Sequence, residues 1–270
     1  MFGTRSVVPA LRLTVLVVSV ILTGIVALSD TPGLSHATAQ GTVRLEWLGH
    51  EFYRFTSPQG VVVITSPWLD NPDGPVTLDE VARTDIILVP NSHSDDMGSP
   101  IEVAGVSGAT VLVPGPLGRW LVDNGLQQSQ FRRAGVGDLF TLNGLRFKIA
   151  PSSHDNTLTT GADGGPAAAF FVTFENGFTA FFNGHSTMIA DLAIYASVYQ
   201  PEVAILGLTD PPEFAQTARL MSMDNPRLRQ VIPSHMRPDA PILAQAQQEM
   251  DRLGLGHLMF VPQLRTVYEY

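Results

Sequence analysis

Residues 86–96 read Ile86-Ile87-Leu88-Val89-Pro90-Asn91-Ser92-His93-Ser94-Asp95-Asp96. Four consecutive aliphatic residues are the pattern of a short strand covered on both faces. Pro90 ends that pattern. Asn91, His93, Asp95 and Asp96 then follow within six residues. On an extended chain, alternation sets Asn91, His93 and Asp95 on one side, and Asp96 joins them if the chain turns into a helix there. A cluster of nitrogen and oxygen donors at the end of a buried strand lies where layered α/β proteins form their ligand sites.

The remaining histidines extend the pattern. Of seven in the chain, His50, His154, His185 and His235 also follow predicted strands, in the segments Trp47-Leu48-Gly49-His50, Ser153-His154-Asp155, Asn183-Gly184-His185 and Ile232-Pro233-Ser234-His235. His36 falls in the N-terminal segment, and His257, beside Gly256, reads as a helix-end residue. The chain has no cysteine, which excludes disulfides, a thiol nucleophile and Cys-type zinc sites. Histidines with aspartates form a donor set for a divalent metal: zinc in the first place, with manganese or iron also fitting.

Apolar runs punctuated by Gly and Pro give the expected elements. Strands are expected at Val43–Trp47, Phe52–Thr56, Val61–Thr65, Ile86–Val89 and Thr110–Val113. Two Asn-Gly hairpins follow, Leu139–Leu142 with Leu145–Ile149 and Ala168–Glu175 with Phe178–Phe182. Further strands are expected at Val203–Leu206, Gln230–Pro233, Met259–Val261 and Thr266–Tyr270. Helices are expected at Leu117–Asn124, Ile189–Tyr199, Pro212–Met221 and Pro241–Leu253. Each half, 43–138 and 139–270, runs from hairpin strands to alternating strand and helix. That order predicts an α/β fold, a four-layer αββα sandwich with two sheets face to face and helices outside, formed by residues 40–270 as a single domain.

The N-terminus reads differently. Arg5 and Arg12 precede an apolar run from Leu13 to Leu28, and Ala37-Thr38-Ala39 supplies small residues for a cleavage site. Residues 1–39 are therefore expected to be a signal peptide, or an N-terminal anchor if uncleaved, in which case residues 13–28 would associate with a membrane. The expected location is secreted, periplasmic or on the outer side of the cell envelope. Net charge is −9, and removing residues 1–39 makes the remainder one unit more acidic. Such a surface disfavours nucleic-acid partners and leaves a small-molecule substrate.

The ordered set of motifs resembles the metallo-β-lactamase fold superfamily, in particular its lactonase-like and phospholipase D-like branch with a Trp-x-Gly-His motif. The family's His-x-His-x-Asp-His corresponds to Asn91-Ser92-His93-Ser94-Asp95-Asp96. Its third histidine corresponds to His154, its bridging Asp to His185 and its late Ile-Pro-x-His to Ile232-Pro233-Ser234-His235. The resemblance implies metal ligation by Asn91, His93, Asp95, Asp96, His154, His185 and His235, holding one or two ions. Asp95 is then a ligand or the base orienting the nucleophile, and His50 a residue that hydrogen-bonds a leaving group or a ligand. The implied activity is an exported metal-dependent hydrolase using metal-activated water on an ester, lactone, amide or phosphodiester. The alternative is a non-catalytic ligand- or metal-binding derivative of the fold. The departures at Asn91, Asp96 and His185 exchange donors for donors, which suggests a rearranged site more than an erased one.

Overall fold

In the computed structural model, two mixed sheets face each other with helices on both outer sides. The structure describes residues 41–270, with Gly3 alone before them. The expected signal peptide or anchor, residues 1–39, lies outside the described residues, as does the apolar run 13–28. Among the described residues no helix is long and apolar enough to cross a membrane. Residues 41–270 belong to one compact unit.

The first sheet contains β1 (Arg44–Gly49), β2 (Phe52–Thr56), β3 (Val62–Thr65), β4 (Ile86–Leu88), β5 (Thr110–Val113), β6 (Phe131–Arg133) and β13 (Val267–Glu269), in the order β13-β1-β2-β3-β4-β5-β6. The second contains β7 (Leu139–Leu142), β8 (Leu145–Pro151), β9 (Ala168–Thr173), β10 (Thr179–Phe182), β11 (Val203–Gly207) and β12 (Gln230–Ser234), in the order β12-β11-β10-β9-β8-β7. Each sheet is antiparallel where hairpins build it. Each turns parallel where helical crossovers build it, from β3 to β6 and from β10 to β12.

Three apolar cores fill the three spaces between the four layers. Strand alternation divides the residues among them. Ile86 and Leu88 enter the inter-sheet core with Trp47, Tyr53, Phe147, Phe170 and Phe182, whereas Ile87 and Val89 face the helices of the first half. Phe171 and Phe181 likewise turn outward beneath the helices of the second half. The helices over the first sheet are α1 (Leu78–Val81), α3 (Pro100–Ser107) and α4 (Gly115–Asp123). Those over the second are α5 (Asp191–Tyr199), α6 (Pro211–Ser222) and α7 (Ile242–Arg252). Helix α6 starts where Asp210 accepts a hydrogen bond from the Glu213 backbone N–H at 2.8 Å, ahead of Pro211 and Pro212. Each large side chain fully buried in these layers contributes about 1.5–3 kcal/mol relative to exposure.

Two expectations are corrected. The final strand leaves its own half and pairs antiparallel with β1, Leu45 opposite Tyr268, so the first sheet is closed by the chain's last residues. Met259–Val261 makes only a single bridge, Met259 to Val231, because Pro262 has no N–H with which to extend a ladder. Helices α1 and α3, a four-residue helix α2 (Ser94–Met97) and strand β6 add to the predicted elements.

Glu80 ties α1 to the approach to β13. Its carboxylate accepts the Thr77 backbone N–H at 2.8 Å and pairs with Arg265. The Thr77 N–H and the Arg265 guanidinium hold its carboxyl at about 2, below the ordinary 4.5. A carboxylate depressed on folding stabilises the protein above its unfolded pKa, and that stability is lost as pH falls from 4.5 toward 2. Glu80→Gln should lower the melting temperature slightly above pH 4.5 and flatten its fall across this window.

Candidate metal centre

The motif histidines and aspartates meet on one rim of the sandwich, at the ends of strands from both sheets. Trp47 is fully buried, and its indole N–H donates to the His50 carbonyl at 3.0 Å. The register of β1 and β2 shifts between Trp47 and Gly49, and Gly49 has φ 108°. A side chain there would collide with the Asn71 amide, 2.6 Å from the position of a Cβ. The resulting turn lifts His50 to the rim. From the second sheet, Pro233 sits in the edge strand β12, where a missing N–H is tolerated, and His235 follows it.

After β4 the chain turns instead of staying extended. His93 is the N-cap of α2, so Asp95 and Asp96 lie on a helix turn. Asn91 makes this turn: its Oδ1 accepts the His93 backbone N–H at 2.9 Å, and its Nδ2 donates to Asp96 Oδ2 at 3.0 Å. The side chain expected as a weak amide ligand thus presents its nitrogen to the cluster and acts on it through Asp96.

Asp96 is fully buried and is common to both groups of converging donors. One group is His50, Asp95, Asp96 and His235; the other is His93, Asp96 and His154. Asp96 is thus a shared carboxylate between the two groups. Asp96 Oδ1 lies 3.7 Å from His235 Nε2. Its Oδ2 lies 3.8 Å from His154 Nε2 and 3.7 Å from His185 Nδ1. Asp95, partly exposed, lies 3.3 Å from His235 Nε2 and 3.7 Å from His50 Nε2. His154 Nδ1 donates to the Asp155 carbonyl at 2.7 Å, which leaves Nε2 as a bare donor atom 3.1 Å from His185 Nδ1. His93 sits at the mouth, 3.5 Å from the Asp155 carboxylate.

Charges are tuned accordingly. Burial, with His235 alongside, pulls His50 down to about 4, so it is neutral at pH 7. The hydrogen bond with His235 holds Asp95 well below the ordinary carboxylate range. Burial pushes Asp96 up, but His185, His235 and the Asn91 amide together hold it below its ordinary value. Both aspartates are anions, and His50 beside Asp95 is neutral. Asp96 Oδ1 and His50 Nδ1 are buried without hydrogen-bond partners. Two such orphaned atoms within a cluster of five histidines and two aspartates fit a divalent cation held by nitrogen and oxygen.

Three of these histidines hold left-handed backbone: His50 at φ 55°, His185 at φ 59° and His235 at φ 56°. Each such conformation costs about 1–3 kcal/mol. Local bonds hold them in place. Asn183 Oδ1 accepts from the N–H groups of His185 and Gly207, and Ser186 Oγ accepts from the Ser153 N–H at 2.8 Å. Asn156 braces the 156–165 loop by donating to Gly165 O. His257, away from the rim, is exposed at the end of a short 3₁₀ turn.

Sequence reasoning missed Glu51, Asn183 and Trp68. Trp68 packs edge-on against His50. Glu51 is fully buried beneath the site. Its signal was an acid isolated between the apolar strands β1 and β2, directly after His50.

These features define a metal centre on the rim of an αββα sandwich, and the comparisons agree. The family described as "Beta-lactamase superfamily domain" matches residues 44–235, and the chain belongs to that superfamily. A UPF0173 metal-dependent hydrolase of Rubrobacter xylanophilus is 30% identical over 222 residues, covering 78% of this chain and 88% of the relative. A second, from Cupriavidus necator, is 28% identical, covering 80% and 81%. Among solved structures, the metallo hydrolase Igni18 from Ignicoccus hospitalis superposes with a TM-score of 0.71 at 21% identity, covering 85% of this chain and 99% of that one.

Gly207 tests the packing that aims His185. An added methyl would lie 2.7 Å from His185 Cδ2 and 3.0 Å from its Cα. Gly207→Ala should cost about 1–3 kcal/mol in urea unfolding and lower the metal content of the purified protein. Unchanged values of both would show that the His185 loop yields freely.

Proposed function

We propose that this protein is an exported metal-dependent hydrolase that adds water to the carbonyl of a small ester, lactone or amide. The reading is carried by the pairing of two donor groups through Asp96, one of which, His93, Asp96 and His154, is a group of three protein donors. Three donors with an open position are the pattern of a catalytic site. A bound divalent cation would lower the pKa of a water toward neutrality and polarise the substrate oxygen.

The residues around it set the rest. Asp95, ionised at pH 7 and half open to solvent, accepts a hydrogen bond from the attacking water and aims it; its low pKa makes it an orienting group more than a strong base. His154 is fixed in one tautomer by the Asp155 carbonyl. His93 and Asp155 border an open cleft of about 520 Å³ with Ser153 and Pro166. A recess of about 180 Å³ on the other side of His154 is lined by His185, Thr187, Gly207 and Phe214. No lysine or arginine lines either space. A phosphodiester would find no side-chain cation there, whereas a carbonyl is uncharged until it is attacked.

Zinc is the first expectation for the metal, with manganese and iron next. The export assignment rests on Arg5, Arg12, the run Leu13–Leu28 and the small residues near Ala39. A second reading, a metal-binding member without turnover, is favoured by Asn91, which turns its amide nitrogen to the cluster.

Residues 40–270, purified without tag or chelator, should carry one or two divalent ions per chain by mass spectrometry. His93→Ala and His235→Ala should each lose metal and lower turnover of lactone, ester or amide substrates by about 100-fold or more. Metal without turnover across carbonyl and phosphodiester panels would establish the second reading. A wild type that takes up no zinc, manganese or iron would overturn both.

A further inference from the structure

Glu51 lies under the cluster with no exposed surface. Its Oε1 accepts the Ser234 hydroxyl at 3.2 Å, and its Oε2 has no partner. It is within hydrogen-bonding reach of Asp96, whose Oδ1 is also buried and unpartnered. Among the described residues Asp96 has only histidines as ion-pair partners. Two neighbouring buried carboxylates, each with an unpartnered oxygen, repel strongly unless a proton or a cation stands between them.

The geometry favours the cation. Ser234, one residue before His235, fixes one Glu51 oxygen and leaves the other without a hydrogen-bond partner among the described residues, as partners of metal ligands commonly do. His50 enters the same donor group from the same turn of chain. We propose that Glu51 is a further metal ligand, the inner carboxylate of the His50, Asp95, Asp96 and His235 group, and that it biases this position toward an oxygen-favouring divalent cation such as manganese(II) or iron(II). Three carboxylates with two imidazoles are a harder donor set than zinc requires. The inference rests on the metal-dependent reading above.

Competition titrations of Mn²⁺ and Zn²⁺ on the metal-stripped protein test it, with Glu51→Gln beside wild type and folding checked by circular dichroism. Glu51→Gln keeps the shape and a hydrogen-bond donor toward Asp96, so a proton-bridged pair would survive it. The expected result is a fall in Mn²⁺ affinity of about tenfold or more, with a smaller fall for Zn²⁺. Unchanged affinities would show that Glu51 holds only a proton, and equal losses for both ions would show that it orients Asp96 without touching the cation; either overturns the proposal and leaves the metal-dependent reading intact. If Glu51→Gln does not fold, Glu51→Asp, with its carboxylate drawn back by one methylene, should show the same loss of manganese preference, and an unchanged ratio overturns the proposal. A wild type that binds neither ion overturns both.

Discussion

A carboxylate with no solvent contact cannot stand in a protein interior without partners, and Asp96 is such a carboxylate. Much of the rim is arranged around it. Asn91 donates to it from the end of β4, His154 and His185 approach one oxygen from the second sheet, and His235 approaches the other from β12. The donors come from four separate segments, so they converge only while the two sheets hold their spacing. The inter-sheet core of Trp47, Tyr53, Phe147, Phe170 and Phe182 maintains that spacing. Tyr53 links the layers directly, donating from its hydroxyl to Pro233 O at 3.2 Å.

The rim holds three of the eight non-glycine residues with left-handed backbone among the described residues. His50, His185 and His235 are all left-handed. Histidine tolerates that region better than most residues, but three instances in one cluster store strain that the surrounding packing must offset. The supports are specific: the indole of Trp47 on the His50 carbonyl, the buried Asn183 beneath His185, and the absence of side chains at Gly49 and Gly207. A functional surface that violates local preferences at three donors, held by an otherwise regular layered fold, is the expected place for such violations.

The departures from the superfamily's motif have a physical logic. With Asp at position 96 and His at position 185, the carboxylate shared by the two donor groups comes from the turn of α2, and an imidazole takes the end of β10. The number of donors is nearly conserved while their positions change. Asp96 is buried with Glu51 beside it, and Asn91 braces the turn that carries Asp96.

Alternation and turn chemistry made most of the layers legible. Ile86–Val89, the Asn-Gly hairpins and the helices after Pro114, Asp210 and Pro241 could be read because periodicity and breakers are local properties. The donor residues were equally legible, because histidines and aspartates at strand ends have few other reasons to recur. The chain alone could not decide partners that depend on distance in space. A three-residue strand such as Val267–Glu269 has no periodicity that names β1 as its neighbour. Asn91 looks the same in sequence whether it offers oxygen or nitrogen, and the choice falls to the His93 N–H that needs an acceptor. Glu51 is one acid among many until the two sheets close over it beside Asp96. The sequence by itself determined the fold class and the kinds of donor; only the tertiary structure decided which carboxylate is shared, because burial and proximity are properties of the packed layers and not of any one segment.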